Sequence, residues 1–283
     1  MSIRALNQTL PEFGLVIASA TNAASGTTIT PGNNAYGSYA QLIAGASVTD
    51  DVFGFWINLN TLAVSGSARD GLLKIGTDRS GGSSFTDTTI IDLLVSCAGA
   101  NAGNNSGGIW YFLPFRLPAG TSIGAAVSVN NATIGACSAF VQLRCKPKYA
   151  PPRCATFMRA FGTAPSTSSG TALTPSNGSK SAYVQVGSAL ADQIWYWCLG
   201  VGSNNAVMQT VAGAFDLAVG SSTTINRRVI ADQLVVCNTA EAQGFRSLGE
   251  YGLGNIGDKV FIRGGANGVW NTGCSVAAYG FGG

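Results

Sequence analysis

The chain has 283 residues, 10% charged side chains, no histidine and a net charge of +3. So slight a positive balance excludes the concentrated basic face that grips nucleic acid. Without imidazole, zinc sites and His-dependent acyl transfer lose their usual ligand and base.

Hydrophobic content of 46% is ordinary, but charge falls far below the roughly 25% usual in soluble domains, its place taken by Gly, Ser, Thr, Asn and Ala. Such a surface hydrogen-bonds well and repels neighbours weakly, which suits a protein packed against other subunits. No apolar run reaches the roughly 18 residues of a membrane helix, and the mildly apolar stretch 13–20 lacks a signal-peptide cleavage pattern. Neither a membrane partner nor an export signal is expected.

Residues 1–24 mix Arg4, Pro11 and Gly14 without a clear period and are expected to form an arm against a neighbour or domain. From residue 25, turn residues separate short stretches: Thr27–Thr30, Tyr39–Ile43, Val52–Leu59, Leu72–Ile75 and Ile90–Cys97. They are rich in β-branched and aromatic residues and bounded by Gly, Asn, Asp and Ser, so they read as strands of a sandwich or barrel. A Gly/Asn/Ser loop over 98–108 leads to a strand at Ile109–Leu113, and Pro114 and Pro118 place Phe115–Leu117 at an edge or bend. Ile123–Val129, a turn at Asn130-Asn131 and Thr133–Leu143 read as a closing hairpin. Arg144–Arg153, with three prolines and four basic residues, is the best boundary in the chain.

Beyond it the chain repeats itself. Ile90-Ile91-Asp92-Leu93-Leu94-Val95-Ser96-Cys97 returns as Ile230-Ala231-Asp232-Gln233-Leu234-Val235-Val236-Cys237, and Gly26-Thr27 with Thr30-Pro31 returns as Gly170-Thr171 with Thr174-Pro175. Phe55-Trp56 matches Tyr196-Trp197, and Cys137-Ser138 matches Cys274-Ser275. The offset falls in order through 144, 141, 140 and 137, as loop trimming in a second copy would produce. We therefore expect an all-β chain of two tandem, homologous antiparallel β-sandwich domains, jelly-roll or Ig-like. The arm is 1–24, copy 1 is 25–145, a Pro/basic linker is 146–155 and copy 2 is 156–283. Strands of copy 2 are expected at Ile194–Trp197, Phe215–Val219, Ile230–Cys237, Lys259–Arg263 and Ser275–Phe281.

The cysteines are Cys97, Cys137, Cys145, Cys154, Cys198, Cys237 and Cys274, with no C-x-x-C pair. They read either as buried thiols or as candidate disulfides and cross-links, and Cys145 and Cys154 flank the linker closely enough to suggest a local bridge. Their odd number leaves at least one thiol unpaired within the chain. Gly120-Thr121-Ser122-Ile123-Gly124 matches a serine-hydrolase elbow, but no base accompanies it. Gly252-Leu253-Gly254-Asn255-Ile256-Gly257 matches a dinucleotide fingerprint, but a strand rather than a helix follows. Asp92 with Asp232, and Asp51 with Asp192, sit at matching places in the two copies. Structural turns or caps explain paired acids better than single-site catalysis does. Trp56 and Trp197 align as core residues, and Trp195 is expected to share a face with Trp197. Trp110 and Trp270, beside Gly/Asn loops, are the candidate contact aromatics. No cofactor or metal is expected.

The run Gly26-Thr27-Thr28-Ile29-Thr30-Pro31-Gly32-Asn33-Asn34, then Tyr36-Gly37-Ser38-Tyr39, Phe55-Trp56-Ile57-Asn58 and Gly107-Gly108-Ile109-Trp110-Tyr111, resembles accessory structural proteins of tailed bacteriophages. The resemblance implies a non-enzymatic virion component present in many copies, decorating the head or surrounding the neck or tail, assembled in the host cytoplasm. Its partners would be copies of itself and other virion proteins such as capsid, portal or tail. The alternative is a receptor- or carbohydrate-binding fibre module, with Trp110 and Trp270 facing a host-surface glycan.

Overall fold

A computed structural model of the chain describes residues 13–18, 26–60, 69–97, 110–130, 136–147, 153–202, 211–221, 225–237, 246–247, 249–269 and 274–283. These residues are all-β and contain no α-helix. In chain order the strands begin with β1 (Phe13–Ala18), β2 (Thr27–Ile29), β3 (Gly32–Asn33), β4 (Ala40–Ile43), β5 (Val52–Asn60), β6 (Arg69–Asp78) and β7 (Asp87–Cys97). Then come β8 (Trp110–Leu113), β9 (Ser122–Val129), β10 (Cys137–Pro147), β11 (Phe157–Phe161), β12 (Thr163–Ala164), β13 (Ser169–Leu173), β14 (Ser176–Asn177) and β15 (Val184–Gly187). The last are β16 (Ile194–Gly202), β17 (Val211–Gly220), β18 (Ile225–Cys237), β19 (Arg246–Ser247), β20 (Glu250–Gly254), β21 (Lys259–Ala266) and β22 (Cys274–Gly282).

The strands form four sheets. The first runs β1-β10-β5-β8-β19 with β2 also on β10, and the second runs β3-β9-β6-β7 with β4 on β9. The third runs β12-β13-β22-β16-β20 with β11 on β22, and the fourth runs β14-β21-β17-β18 with β15 on β21. Pairing is antiparallel except for β3 with β9, β14 with β21 and β19 with β8.

β10 shows why these sequences become strands. From Cys137 to Cys145 every second side chain is buried and those between are half-buried, the signature of a sheet with one face on a core. β16 and β22 differ, being buried at every position. Val276 and Ala278 of β22 join a core with Trp197, Leu199, Phe215, Leu217 and Ile262. Ala277, Tyr279 and Phe281 join the other core, with Phe55, Ile57, Leu72, Leu94, Tyr111 and Val141. The third sheet thus lies between two cores, and its outward face covers the side of the first two sheets bordered by β7 and β8.

Four expectations change. Ile123–Val129 and Thr133–Leu143 are not a hairpin: β9 pairs with β3, β4 and β6, whereas β10 pairs with β1, β2 and β5 in a different sheet. Part of the expected N-terminal arm is a sheet strand, because β1 pairs with β10 from Phe13↔Pro147 to Ala18↔Gln142. The linker begins inside β10 and ends docked, with the Ala155 N–H donating to the Pro114 carbonyl at 2.6 Å. Trp195 and Trp197 do not share a face. Ile194 and Trp197 belong to one core, whereas the adjacent Trp195 and Tyr196 both belong to the other, where the pairing of β16 with β20 is irregular.

Candidate functional site

The repeated octapeptide supplies β7 and β18, the last strands of their sheets. Each is interrupted at its aspartate. Asp92 and Asp232 take φ of 56° and 53°, the left-handed region that Asp tolerates better than bulky residues. Two β6 residues span Leu73↔Leu93 to Ile75↔Ile90, and β17 repeats this from Phe215↔Gln233 to Leu217↔Ile230. One extra residue on the outer strand is a β-bulge, which kinks the strand and re-aims its side chains.

Different chemistry holds each bulge. At Asp92 the Tyr36 hydroxyl donates to Oδ1 at 2.6 Å and accepts the Asp92 N–H at 3.2 Å. Lys74 Nζ lies 4.6 Å from the Tyr36 ring centre and 4.9 Å from that of Tyr39. Burial, then the Asp92 carboxylate, push the Tyr36 hydroxyl far above the usual phenol range, so it stays protonated as a donor. At Asp232 the support is ionic. Asp216 Oδ1 accepts the Asp232 N–H at 2.9 Å, and Lys180 Nζ bridges Asp216 at 3.0 Å and Asp232 at 2.9 Å. Arg263 reaches Asp216 Oδ2 at 2.8 Å and Arg228 approaches it at 3.6 Å. Burial raises the Asp216 pKa, but the Asp232 N–H, Lys180 and Arg263 outweigh it and bring the carboxyl down to about 2.

The outer edges of β7 and β18 meet different surroundings. Leu94 is fully buried. Its N–H donates to the Tyr279 hydroxyl, which donates in turn to the Asp92 carbonyl at 2.9 Å, while its own carbonyl accepts from Tyr111. The two tyrosine rings meet edge-on at 5.8 Å. Nearby, Ser128 and Ser168 share a buried hydroxyl–hydroxyl bond of 2.6 Å. Tyr279 of β22 thus closes over β7, while Ser168, leading into β13, reaches Ser128 of β9. On β18, by contrast, Leu234 is 61% exposed and borders an open cleft of about 430 Å³ lined also by Lys180, Ala214, Gly265 and Asn267.

The cysteines called as cross-link candidates lie mostly inside. Cys137, Cys145, Cys198 and Cys274 are buried and Cys154 is half-buried; the Cys145 and Cys154 thiols face the Asp50 and Phe53 carbonyls at 4.0 and 3.8 Å. Burial pushes the Cys145 thiol up to about 11. Cys97 and Cys237 end β7 and β18, and their side chains lie outside the described set, as does Trp270. Trp110 is half-buried and meets Phe140 edge-on at 5.5 Å. Ser122 of the elbow-like motif is buried at the start of β9 and donates to the Gly82 carbonyl at 2.5 Å, which ties the strand to the turn after β6. Gly252–Gly257 runs from β20 through a turn into β21. Asp51 and Asp192 sit in ion pairs with Arg116 at 2.6 Å and Arg159 at 2.7 Å. Sequence reasoning missed Tyr36, Lys180, Asp216, Tyr111 and Tyr279. Tyr36 and Lys180 are separated by 144 positions, the offset of the neighbouring repeat blocks, so the signal was present.

No family profile matches the chain, and no curated protein matches it. Three solved structures align weakly. The naturally empty top component of cowpea mosaic virus is 9% identical over 99% of this chain and 94% of its own, with a TM-score of 0.34. PNGF-II is 8% identical over 95% and 65%, at 0.37. The Gx strain of infectious bursal disease virus is 11% identical over 97% and 73%, at 0.18. With TM-scores this low, they assign the chain neither a family nor a role.

Proposed function

We propose that the chain is a non-enzymatic structural protein of a bacteriophage virion, present in many copies as a collar, neck or head-decoration component. In this reading it comprises two tandem, homologous antiparallel β-sandwiches, divided near the Pro/basic segment 146–155. The resemblance of several sequence blocks to phage accessory proteins motivates the virion assignment. The single observation that supports an assembly role is the recurrence of strand pairing around a buried contact. β10 takes β1, β2 and β5 as partners and β22 takes β11, β13 and β16, while β9 and β21 each combine one parallel and two antiparallel neighbours. One unit then presents a sheet face to the edge of the other, as subunits do. Of the acids at matching positions, Asp92 and Asp232 sit at bulges and Asp51 and Asp192 in ion pairs with arginines, which favours scaffold over catalyst.

Cross-linking between subunits, if part of this role, starts from Cys154, the half-buried thiol among the five whose burial is described. Identical mobility of particle protein on reducing and non-reducing gels removes that element. Purified particles carrying a tag on this protein, imaged by cryo-electron microscopy, should show label at several equivalent positions on head, neck or tail. Absence of the protein from purified particles overturns the virion assignment.

A further inference from the structure

We propose that Asn267 is a site of spontaneous chemical modification, converting to aspartate and isoaspartate by attack of the Gly268 backbone nitrogen on its side chain. The chain has two Asn-Gly pairs, Asn177-Gly178 and Asn267-Gly268. Glycine after asparagine leaves the approach to the side-chain carbon open, because it lacks a Cβ and has the widest backbone freedom. By sequence the two pairs are equally labile, and both asparagines are exposed. The backbone separates them.

Asn177 ends β14 and pairs with Ala266 of β21, and the Gly178 N–H donates to the Ala266 carbonyl at 2.8 Å. The nitrogen that would attack is thus held, and freeing it requires the β14–β21 contact to open. Asn267 lies in the bend just beyond β21. Among the described residues nothing accepts the Gly268 N–H. The side chain is also set for the reaction, since Asn267 Oδ1 accepts the Ala212 N–H at 2.9 Å. A donor on Oδ1 polarises Cγ and stabilises the oxyanion that forms as nitrogen adds, as an oxyanion hole does.

Hydroxide takes the Gly268 amide proton, the nitrogen bonds to Cγ, and Nδ2 leaves with a proton from water as ammonia, giving a cyclic succinimide. Water then opens the ring. Cleavage between the nitrogen and Cγ gives aspartate, whereas cleavage between the nitrogen and the Asn267 main-chain carbonyl carbon gives isoaspartate, with the chain now running through Cγ. The balance is asparagine and water to acid and ammonia, with nothing oxidised or reduced. Isoaspartate lengthens the main chain where the Asn267 N–H donates to the Ala212 carbonyl at 3.0 Å and Oδ1 receives the Ala212 N–H. That clasp, next to the Gly213↔Ala266 pair at the end of the β17–β21 ladder, is lost in the isoaspartate form.

Incubation of the native full chain in mildly alkaline buffer tests this, with peptide mass spectrometry following the asparagine, aspartate and isoaspartate forms of both peptides. Asn267 should convert more than about tenfold faster than Asn177 while the protein is folded. In denaturant the two should convert at comparable rates, which places the difference in the fold. Gly268→Ala should slow conversion at Asn267 several-fold and leave Asn177 unchanged. The Ala212 amide should exchange faster in the isoaspartate fraction than in fresh protein. Native Asn177 converting as fast as Asn267, or Asn267 persisting in the native chain while it converts in denaturant, overturns the inference. Unchanged conversion in folded Gly268→Ala overturns the succinimide route, and if that variant does not fold, the native and denatured wild-type rates decide alone.

Discussion

Replacing Tyr279 with Phe removes one oxygen from the centre of the contact between the third sheet and β7. That oxygen accepts the Leu94 N–H and donates to the Asp92 carbonyl at 2.9 Å. The ring remains, so its edge-on contact with Tyr111 and its apolar burial persist. The loss is two hydrogen bonds and a buried backbone donor left unsatisfied. An orphaned group of this kind costs about 1–3 kcal/mol and each net bond about 1 kcal/mol, so destabilisation of about 2–3 kcal/mol is expected. Denaturant unfolding should show a lower midpoint with an unchanged slope. Native-state hydrogen exchange gives the sharper readout. If opening of this contact limits exchange, the Leu94 amide should exchange roughly 30-fold or more faster in the variant, the factor equivalent to about 2 kcal/mol. Unchanged exchange at Leu94, with unchanged stability, would refute the claim that Tyr279 secures the bulged edge.

Two further predictions follow from the charges and thiols. The Asp216 carboxyl titrates near 2 in the folded protein against an ordinary 3.8; a depressed acid contributes stability that is present above about pH 4 and lost as pH falls toward 2. That shift amounts to about 2 kcal/mol, so Asp216→Asn should be less stable than wild type at pH 7 and flatter in stability between about pH 4 and 2. Parallel acid-unfolding curves for the two proteins would contradict the assignment. For Cys145, held near 11 by burial, only about one thiol in a thousand is ionised at pH 8. Brief iodoacetamide treatment of native protein followed by peptide mass spectrometry should leave it unlabelled, with labelling appearing on denaturation; rapid native labelling would show the site to be open.

Much of the strand map was legible. Val52–Leu59 lies within β5, Ile90–Cys97 within β7 and Ser275–Phe281 within β22, because β-branched and aromatic runs bounded by turn formers favour extended backbone. The failures have a common origin. Alternation in Ala139–Leu143 states which side chains face inward, but not which sheet receives the strand, so β9 and β10 read as a hairpin although they belong to different sheets. In Ile194–Trp197, strict alternation was assumed, but adjacent Trp195 and Tyr196 pack into the same core and leave Trp197 in the other. Asp92 and Asp232 could be paired by sequence, but Tyr36 holds one and Asp216 with Lys180 the other, since a bulge accepts any partner with suitable donors or acceptors nearby.

By itself, the sequence determined the all-β class, the positions of most strands and the recurrence of blocks such as Ile90–Cys97 and Ile230–Cys237, because local backbone preference and side-chain period are written residue by residue. Only the tertiary structure decided that Leu94 is buried beneath Tyr279 while Leu234 is exposed beside a cleft. Those two leucines occupy the same place in nearly the same local sequence. Their difference comes from what packs across them, and burial of a strand edge depends on surfaces brought together from 185 residues away, a distance over which no local period carries information.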